Sequence, residues 1–354
     1  MKKLHSLFFQ RPGFLLLVTA VFILSLSWNS APLAQSKTGT TIGQFLLIEP
    51  SARGAAMGNA AVASTEEVLS TWYNPGALGT FTRHSVQFTH SLWLADITYD
   101  CIAGALHMGN AGNLLLNATM LNSGEIAVRT VEHPLGTGEH FSVSNFSLGL
   151  GYGRQLTDRF AVGLQINYIQ ETIWHSSLAT VALNVGTIYR LSPQGPRLGA
   201  AIVNFGLPAR YSGRDLRIVY DKDAEKYGDN SNLPGMVYSE AYPLPVLFRV
   251  GIDWPMRLGH RHEIHLAVNA FHPSDNEESL SLGAEWVIMK TLALRAGYQN
   301  LSLHKRYRNE SETGLTLGTG VAFEVGGSEF RLDYGWADYG RLENAQRFTL
   351  GLQF

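Results

Sequence analysis

Several groups of residues have types and spacings that could carry chemistry. His90 and Ser91 would suit nucleophilic catalysis, but neighbours on a strand point to opposite faces. His260, His262 and His265 form the densest histidine cluster, and His260 and His262 share a face at strand spacing, as metal ligands could. They fall in a turn with no cysteine nearby, so a solvated turn is expected. Asp221, Asp223 and Glu225 are spaced like the start of a calcium loop, but Lys226 stands where the loop needs glycine, which points to a charged surface. No G-x-S-x-G elbow, P-loop or H-E-x-x-H occurs. The expectation is a protein that is not an enzyme and uses no cofactor or metal. The largest constellation is a mixed-sign set: Arg249, Asp253, Glu263, Glu285, Arg295, Glu324, Arg331 and Asp333. What it does depends on the elements that carry it.

Composition narrows those elements. Of 354 residues only 16% are charged, against ~25% in typical soluble domains. Lys plus Arg is 27 and Asp plus Glu is 29, so there is no basic excess for nucleic acid. The 45% hydrophobic content excludes a disordered chain, and the single Cys101 excludes a disulfide framework. Mean hydropathy is −0.01, too low for a helical membrane protein. Glycine is abundant, with 36 residues, and aromatics make up 11%. Apolar in alternation but not in helical runs is the pattern of a membrane β-barrel.

Residues 1–34 read as a Sec signal peptide. Lys2, Lys3 and Arg11 open it, Phe14 to Trp28 is nearly unbroken apolar sequence, and cleavage is expected near Ala34–Gln35. Its removal takes three basic residues and no acidic one, leaving a mildly acidic exported chain.

From residue 83 to 354 the pattern has period two. Phe160, Val162, Leu164, Ile166 and Tyr168 alternate with small or polar residues, as do Leu292, Leu294, Ala296 and Tyr298. Fourteen such segments fall near 84–92, 95–107, 111–122, 142–154, 159–172, 178–190, 197–206, 245–254, 262–271, 279–288, 291–299, 314–324, 328–337 and 345–354. Many are long enough to cross an outer membrane at a tilt. With the first strand running outward, all the long loops, near 123–141, 207–244 and 300–313, fall outside. The other turns are short. The expected fold is all-β: a 14-stranded antiparallel transmembrane barrel with an N-terminal hatch or plug. Tyr152, Tyr189, Trp254 and Trp286 fall near periplasmic strand ends, and Tyr168, Tyr298 and Trp336 near external ends, as two interfacial girdles. The eight charges named above then face the lumen, because on the lipid side each would cost ~2–4 kcal/mol near the midplane. A network that satisfies the lumen and holds the plug is expected. Phe348, Leu350, Leu352 and Phe354 close the chain as a greasy strand face, resembling the C-terminal signal read by the barrel-assembly machinery.

Residues 35–82 lack this alternation. Ser64–Thr65–Glu66–Glu67 reads as a helix N-terminus, Val68, Leu69 and Trp72 as an apolar stripe, and Asn74–Pro75–Gly76 as its stop. The stretch suits a plug inside the barrel. Its string of residues, Phe45–Leu46–Leu47–Ile48, Pro50, Ala52–Arg53, Ala56–Met57–Gly58, Val62–Ala63 and Trp72–Tyr73–Asn74–Pro75, resembles the N-terminal signature of the PorV/PorQ family. His90–Ser91–Leu92–Trp93–Leu94–Ala95–Asp96–Ile97 is also similar to that family's first hairpin, and the details are more similar to PorV. One departure is Gly76–Ala77, where many relatives have the reverse order.

The resemblance implies a FadL-like barrel with a hatch, and Phe45, Pro50, Arg53, Met57, Gly58, Asn74 and Pro75 as hatch residues. It also implies an outer-membrane component of a type IX secretion system. Such a component binds the C-terminal signal domains of secreted cargo and passes them from the translocon to an attachment complex. Partners would be outer-membrane lipid, the assembly machinery, type IX subunits and cargo, with no nucleic acid. The alternative is a FadL-like channel for hydrophobic small molecules. For cargo, the external loop 207–244 offers Tyr211, Arg214, Arg217, Tyr220, Tyr227, Met236 and Tyr238 as contacts.

Overall fold

Alternating side chains and long external loops resolve into a closed barrel. The computed structural model describes residues 37–223, 225, 232–302 and 314–354. The signal segment, Tyr227 and most of the 300–313 loop lie outside the described residues. Fourteen antiparallel strands form the wall. They are β1 (Ser85–Leu92), β2 (Thr98–His107), β3 (Asn113–Asn122), β4 (Val143–Thr157), β5 (Phe160–Ile173), β6 (Ser176–Arg190) and β7 (Arg197–Gly206). The second half holds β8 (Leu247–Leu258), β9 (His262–Pro273), β10 (Ser279–Ile288), β11 (Leu292–Ser302), β12 (Leu315–Val325), β13 (Ser328–Asp338) and β14 (Asn344–Gln353). Each pairs with its sequence neighbour, and β1 closes on β14, with Ser85 opposite Gln353 and Leu92 opposite Gln346. Closure leaves no strand edge, which is what a spanning sheet needs where no water can satisfy the backbone. Among the described residues no helix is long and apolar enough to cross a membrane.

The outer surface is the greasy face. Phe88, Ile102, Leu116, Leu150, Ile166, Leu294, Leu332 and Leu350 are exposed there, while their strand neighbours turn inward. On one rim the turns are short, such as Gly259–Arg261 and Gly326–Gly327; on the other lie the long loops. The first rim is therefore periplasmic. The external loop after β3 carries a small ribbon, Ile126–Ala127 with His140–Phe141. The loop after β7 carries another, Arg217–Tyr220 with Leu233–Met236.

The segment before β1 fills the lumen. It has a 3-10 turn at Gln44–Leu47, short helices at Ala52–Ala56 and Ser70–Tyr73, and a second 3-10 turn at Pro75–Thr80. Its apolar residues supply much of the core. Ile42, Phe45 and Leu46 pack with Tyr99, Leu121, Ile169, Leu178 and Leu244, and Val68, Leu69 and Leu78 pack with Cys101, Ala103, Ala105 and Leu115. The helix expected to start at Ser64 begins only at Ser70. Glu66 and Glu67 are used elsewhere: Glu66 pairs with Arg197 of the wall, and Glu67 accepts from Gln87 and Ser51. Carboxylates engaged in tertiary bonds hold their backbone out of the helix. The earlier helix was not expected; Ser51 caps it by accepting the Gly54 N–H at 2.9 Å.

Inward glycines let this segment lie directly on the wall. A Cβ at Gly163 would come within 2.0 Å of the Pro75 carbonyl oxygen, and one at Gly186 within 2.0 Å of Asn74 Oδ1. Much of the glycine excess sits at such contacts, with Gly199, Gly283, Gly297, Gly318 and Gly335 in the same role.

Candidate functional site

The lumen of β9 to β14 carries a charged seat for the inner segment. Arg53 is buried and forks onto Glu285, Nε to Oε1 at 3.0 Å and Nη2 to Oε2 at 2.5 Å, with Nη1 donating to Ser64 at 2.6 Å. Arg295 bridges Glu285 and Asp333, at 2.7 Å to each. Arg331 closes the network on Asp333 at 2.9 Å and donates to the Glu66 carbonyl at 3.3 Å. Three guanidiniums thus share two carboxylates. A bidentate fork fixes orientation as well as charge.

A second group joins the first at the periplasmic side. Arg197 meets Glu66 at 2.7 Å and also pairs with Asp253 and Thr65. His265 lies between Asp253 and Glu263, 3.4 Å from each. Burial works against the Glu66 carboxylate, but Arg197, His265 and Arg53 more than offset it and hold its pKa at about 2. Both groups border a periplasmic vestibule of about 780 Å³ that is also lined by Arg83, Lys290, Glu324 and Glu329. At the other end of the inner segment Arg347 donates through Nε to the Glu49 carbonyl at 3.0 Å and pairs with its carboxylate at 3.1 Å, which also accepts from Tyr339. Arg347 stacks on Trp93, 4.9 Å from the ring.

The eight expected lumen charges all follow the inward parity, but they do not form one network. Glu285, Arg295, Arg331 and Asp333 join Arg53. Asp253 and Glu263 join Arg197 and His265. Glu324 is exposed at the vestibule rim. Arg249 stands apart on β8, its guanidinium carbon 4.5 Å from the Trp72 ring. Glu49, Glu66, Arg197, His265 and Arg347 were not singled out as lumen charges. Arg347 shares inward parity with Thr349 and Gly351, a signal that was available.

The residues expected to form a hatch are buried in the inner segment or touch the wall. Phe45 and Pro50 are buried. Met57 packs with Ala60 and Ala267. Gly58 has φ +65, a Cβ there would meet Leu282 O at 2.5 Å, and its N–H donates to Thr316 at 2.9 Å. Asn74 donates to the carbonyls of Val62 and Thr187, each at 2.9 Å, and accepts from Gly76, capping the turn that Pro75 opens.

In the long external loop, Arg217, Tyr220 and Met236 are exposed on the ribbon, with Val219 70% and Tyr238 77% exposed. Arg210 lies over the Tyr238 ring at 4.6 Å. Arg214 and Asp215 both bind His175 of the adjoining turn. Tyr211 differs from the expected contact residue: it is half-buried, and its hydroxyl donates to Glu171 at 3.0 Å. Burial and that carboxylate push its phenol pKa up. Tyr211 anchors the loop rather than displaying itself. Of the expected histidine cluster, His262 faces Trp286 of the neighbouring strand while His265 turns inward. Among the described residues no group of three or more His, Cys, Asp or Glu is placed to hold a metal ion. His90 pairs with Asp100 at 2.7 Å, and Ser91 turns to the opposite, buried face. At the C-terminus Phe348, Leu350 and Phe354 are exposed on the outer face, and Phe354 exchanges backbone bonds with His84.

A closed fourteen-stranded barrel with a greasy exterior, filled by its own N-terminal segment, is an outer-membrane protein. Residues 31–188 match the family PorV, described as "Type IX secretion system protein PorV". The resemblance read from the sequence holds over that stretch, which includes the inner segment and β1 to β5. No curated protein sequence gives a match. The fold is similar to the CymD monoaromatic hydrocarbon channel, with TM-score 0.52 and 11% identity over 87% of this chain and 97% of that one. It is also similar to the Pseudomonas putida toluene transporter TodX, with TM-score 0.53 and 11% identity over 86% and 98%. At such identity the likeness is one of fold.

Proposed function

We propose that this chain is an outer-membrane component of a type IX protein secretion system that binds the C-terminal signal domains of cargo and passes them to an attachment complex. The observation that carries the reading is the PorV match over residues 31–188. Two features support it. The external loop after β7 presents Val219, Tyr220, Met236 and Tyr238 above the bilayer, and exposed aromatics flanked by arginine suit protein contact. The vestibule is lined by charges of both signs rather than by a greasy track. In this reading the chain is Sec-exported, and Phe348, Leu350, Leu352 and Phe354 are its assembly signal. Residues 35–82, with Phe45, Pro50, Arg53, Met57, Gly58, Asn74 and Pro75 at the wall, act as a hatch that stays closed while the loops do the work.

A second reading is a FadL-like channel for hydrophobic small molecules. It is favoured by the apolar cluster of Phe45, Leu46, Tyr99 and Ile169, which a moving hatch would open to a solute. Affinity purification from outer membranes followed by mass spectrometry separates the two. Recovery of type IX subunits and of cargo sharing a C-terminal domain is the expected result. Recovery of neither, with uptake of a labelled apolar solute that depends on the protein, would replace the first reading with the second.

A further inference from the structure

We propose that Arg249 and the amides and hydroxyls around it form a binding site for one halide ion, chloride in the cell, between the inner segment and the wall. Arg249 is one of five buried arginines among the described residues. The other four each face a carboxylate: Arg53 with Glu285, Arg197 with Asp253, Arg295 with Asp333 and Arg347 with Glu49. Arg249 does not. Its Nε and Nη1 have no hydrogen-bond partner among the described residues; the faces of Trp72 at 4.5 Å and Tyr73 at 5.8 Å lie against it, and the carboxylate whose charge reaches it, Glu49, is already paired with Arg347. A guanidinium stays charged at any biological pH, so an uncompensated one in a buried site calls for a counter-charge.

The surroundings define that counter-charge. Arg249 lines a cavity of about 20 Å³ with Asn117, Thr119, Ser147, Gln165 and Asn204, and no carboxylate lines it. Gln165 commits Nε2 to Asn117 and Asn167, Thr119 donates to Cys101 and Asn204 donates to Pro245, so the donors that can turn toward an anion are the amides of Asn117, Asn167 and Asn184 and the Ser147 hydroxyl. The volume admits one water-sized species. Phosphate, sulfate and carboxylates are too large, which leaves a monatomic anion. Held there, it would neutralise the cation that touches Trp72 and Tyr73, and so brace the Ser70–Tyr73 helix against β8. The site is independent of the secretion reading.

The test uses the full-length folded protein in detergent. Its melting temperature is measured in sodium chloride and in sodium gluconate at constant ionic strength, for wild type and Arg249→Met. Crystals grown in chloride are then soaked in bromide for anomalous scattering. The wild type should gain roughly 2–4 °C for each tenfold rise in chloride above the dissociation constant. Arg249→Met should lose that dependence, and a single bromide peak should lie within hydrogen-bond reach of Arg249. Bromide density with no chloride dependence of melting would mean binding at crystal concentration only and would overturn the proposal. So would no peak at Arg249, or an unchanged chloride dependence in Arg249→Met. If that variant does not fold, the wild-type titration and the bromide map decide between them.

Discussion

The two walls of one lumen hold the same inner segment by different chemistry. From β9 to β14 the wall offers Glu285, Arg295, Arg331 and Asp333, and Arg53 of the inner segment completes an ionic lattice. From β3 to β7 it offers Asn117, Thr119, Ser147, Gln165, Asn184 and Asn204, with backbone contacts across Gly163 and Gly186. The first wall fixes position through forked, directional bonds, with Arg53 on Glu285 at their centre. The second works through close approach, with Asn74 bridging two main chains. Glycines set distance on both walls, with Gly283, Gly297, Gly318 and Gly335 on the first, and the charged lattice is added on the first alone, so the first wall has a way of failing that the second lacks.

The largest effect is expected on the charged wall. Glu285→Ala leaves Arg53 and Arg295 buried without their shared partner, and removing one member of a buried pair costs about 3–5 kcal/mol. Loss of protease protection across residues 45–80, together with a lower melting temperature, checks this. Arg53→Ala combined with Glu285→Ala should cost less than the two changes added, because they act on one interaction. On the amide wall, Gly186→Val drives a side chain into Asn74 and should cost about 1–3 kcal/mol. Gly104→Ala is the control. Its new Cβ would meet no atom closer than 3.8 Å, and melting should not change.

A smaller effect is tied to pH. The folded pKa of Glu66, about 2, lies below its ordinary value of 4.5. Its contribution is therefore full above pH 4.5 and is lost as pH falls toward 2. Melting of the wild type should weaken through that window, and Glu66→Gln should show a shallower slope there. A slope identical in both proteins would separate Glu66 from the charged seat. The smallest effect concerns the exposed loop after β7: Val219→Ser with Tyr238→Ser should leave melting within about 0.5 kcal/mol of wild type. Only partner binding should change.

The strands were legible because the bilayer enforces a strict rule. Every second residue of a spanning strand must suit lipid, and all fourteen segments recur near their expected positions. Strand ends were less legible. β5 and β6 run on to a two-residue turn at Trp174–His175, where Trp174 has φ +52. The luminal face of each charge was legible for the same reason, but its partner was not. Parity says which side of the wall Arg249 and Arg295 occupy, but not where around the barrel they lie. Only closure shows that Arg295 meets Asp333 while Arg249 meets an aromatic ring. The inner segment has no such period. Its Ser64–Glu67 stretch has a helix start by composition, yet Arg197 and Gln87, distant in sequence, take both carboxylates.

In the proposed reading the inner segment stays in the lumen as a hatch, and the loop after β7 carries recognition. Replacing residues 212–240 with a short Gly/Ser linker removes the ribbon, whose strands form a sheet separate from the wall. Loop closure changes slowly with length, so the barrel should still assemble. Capture of cargo bearing its C-terminal signal domain, measured by pull-down from outer membranes, is the direct measurement. The account predicts a heat-modifiable barrel at normal levels that no longer retains cargo. Full cargo retention by that variant, with altered apolar-solute uptake only when the hatch around Arg53 to Asn74 is disturbed, would contradict it.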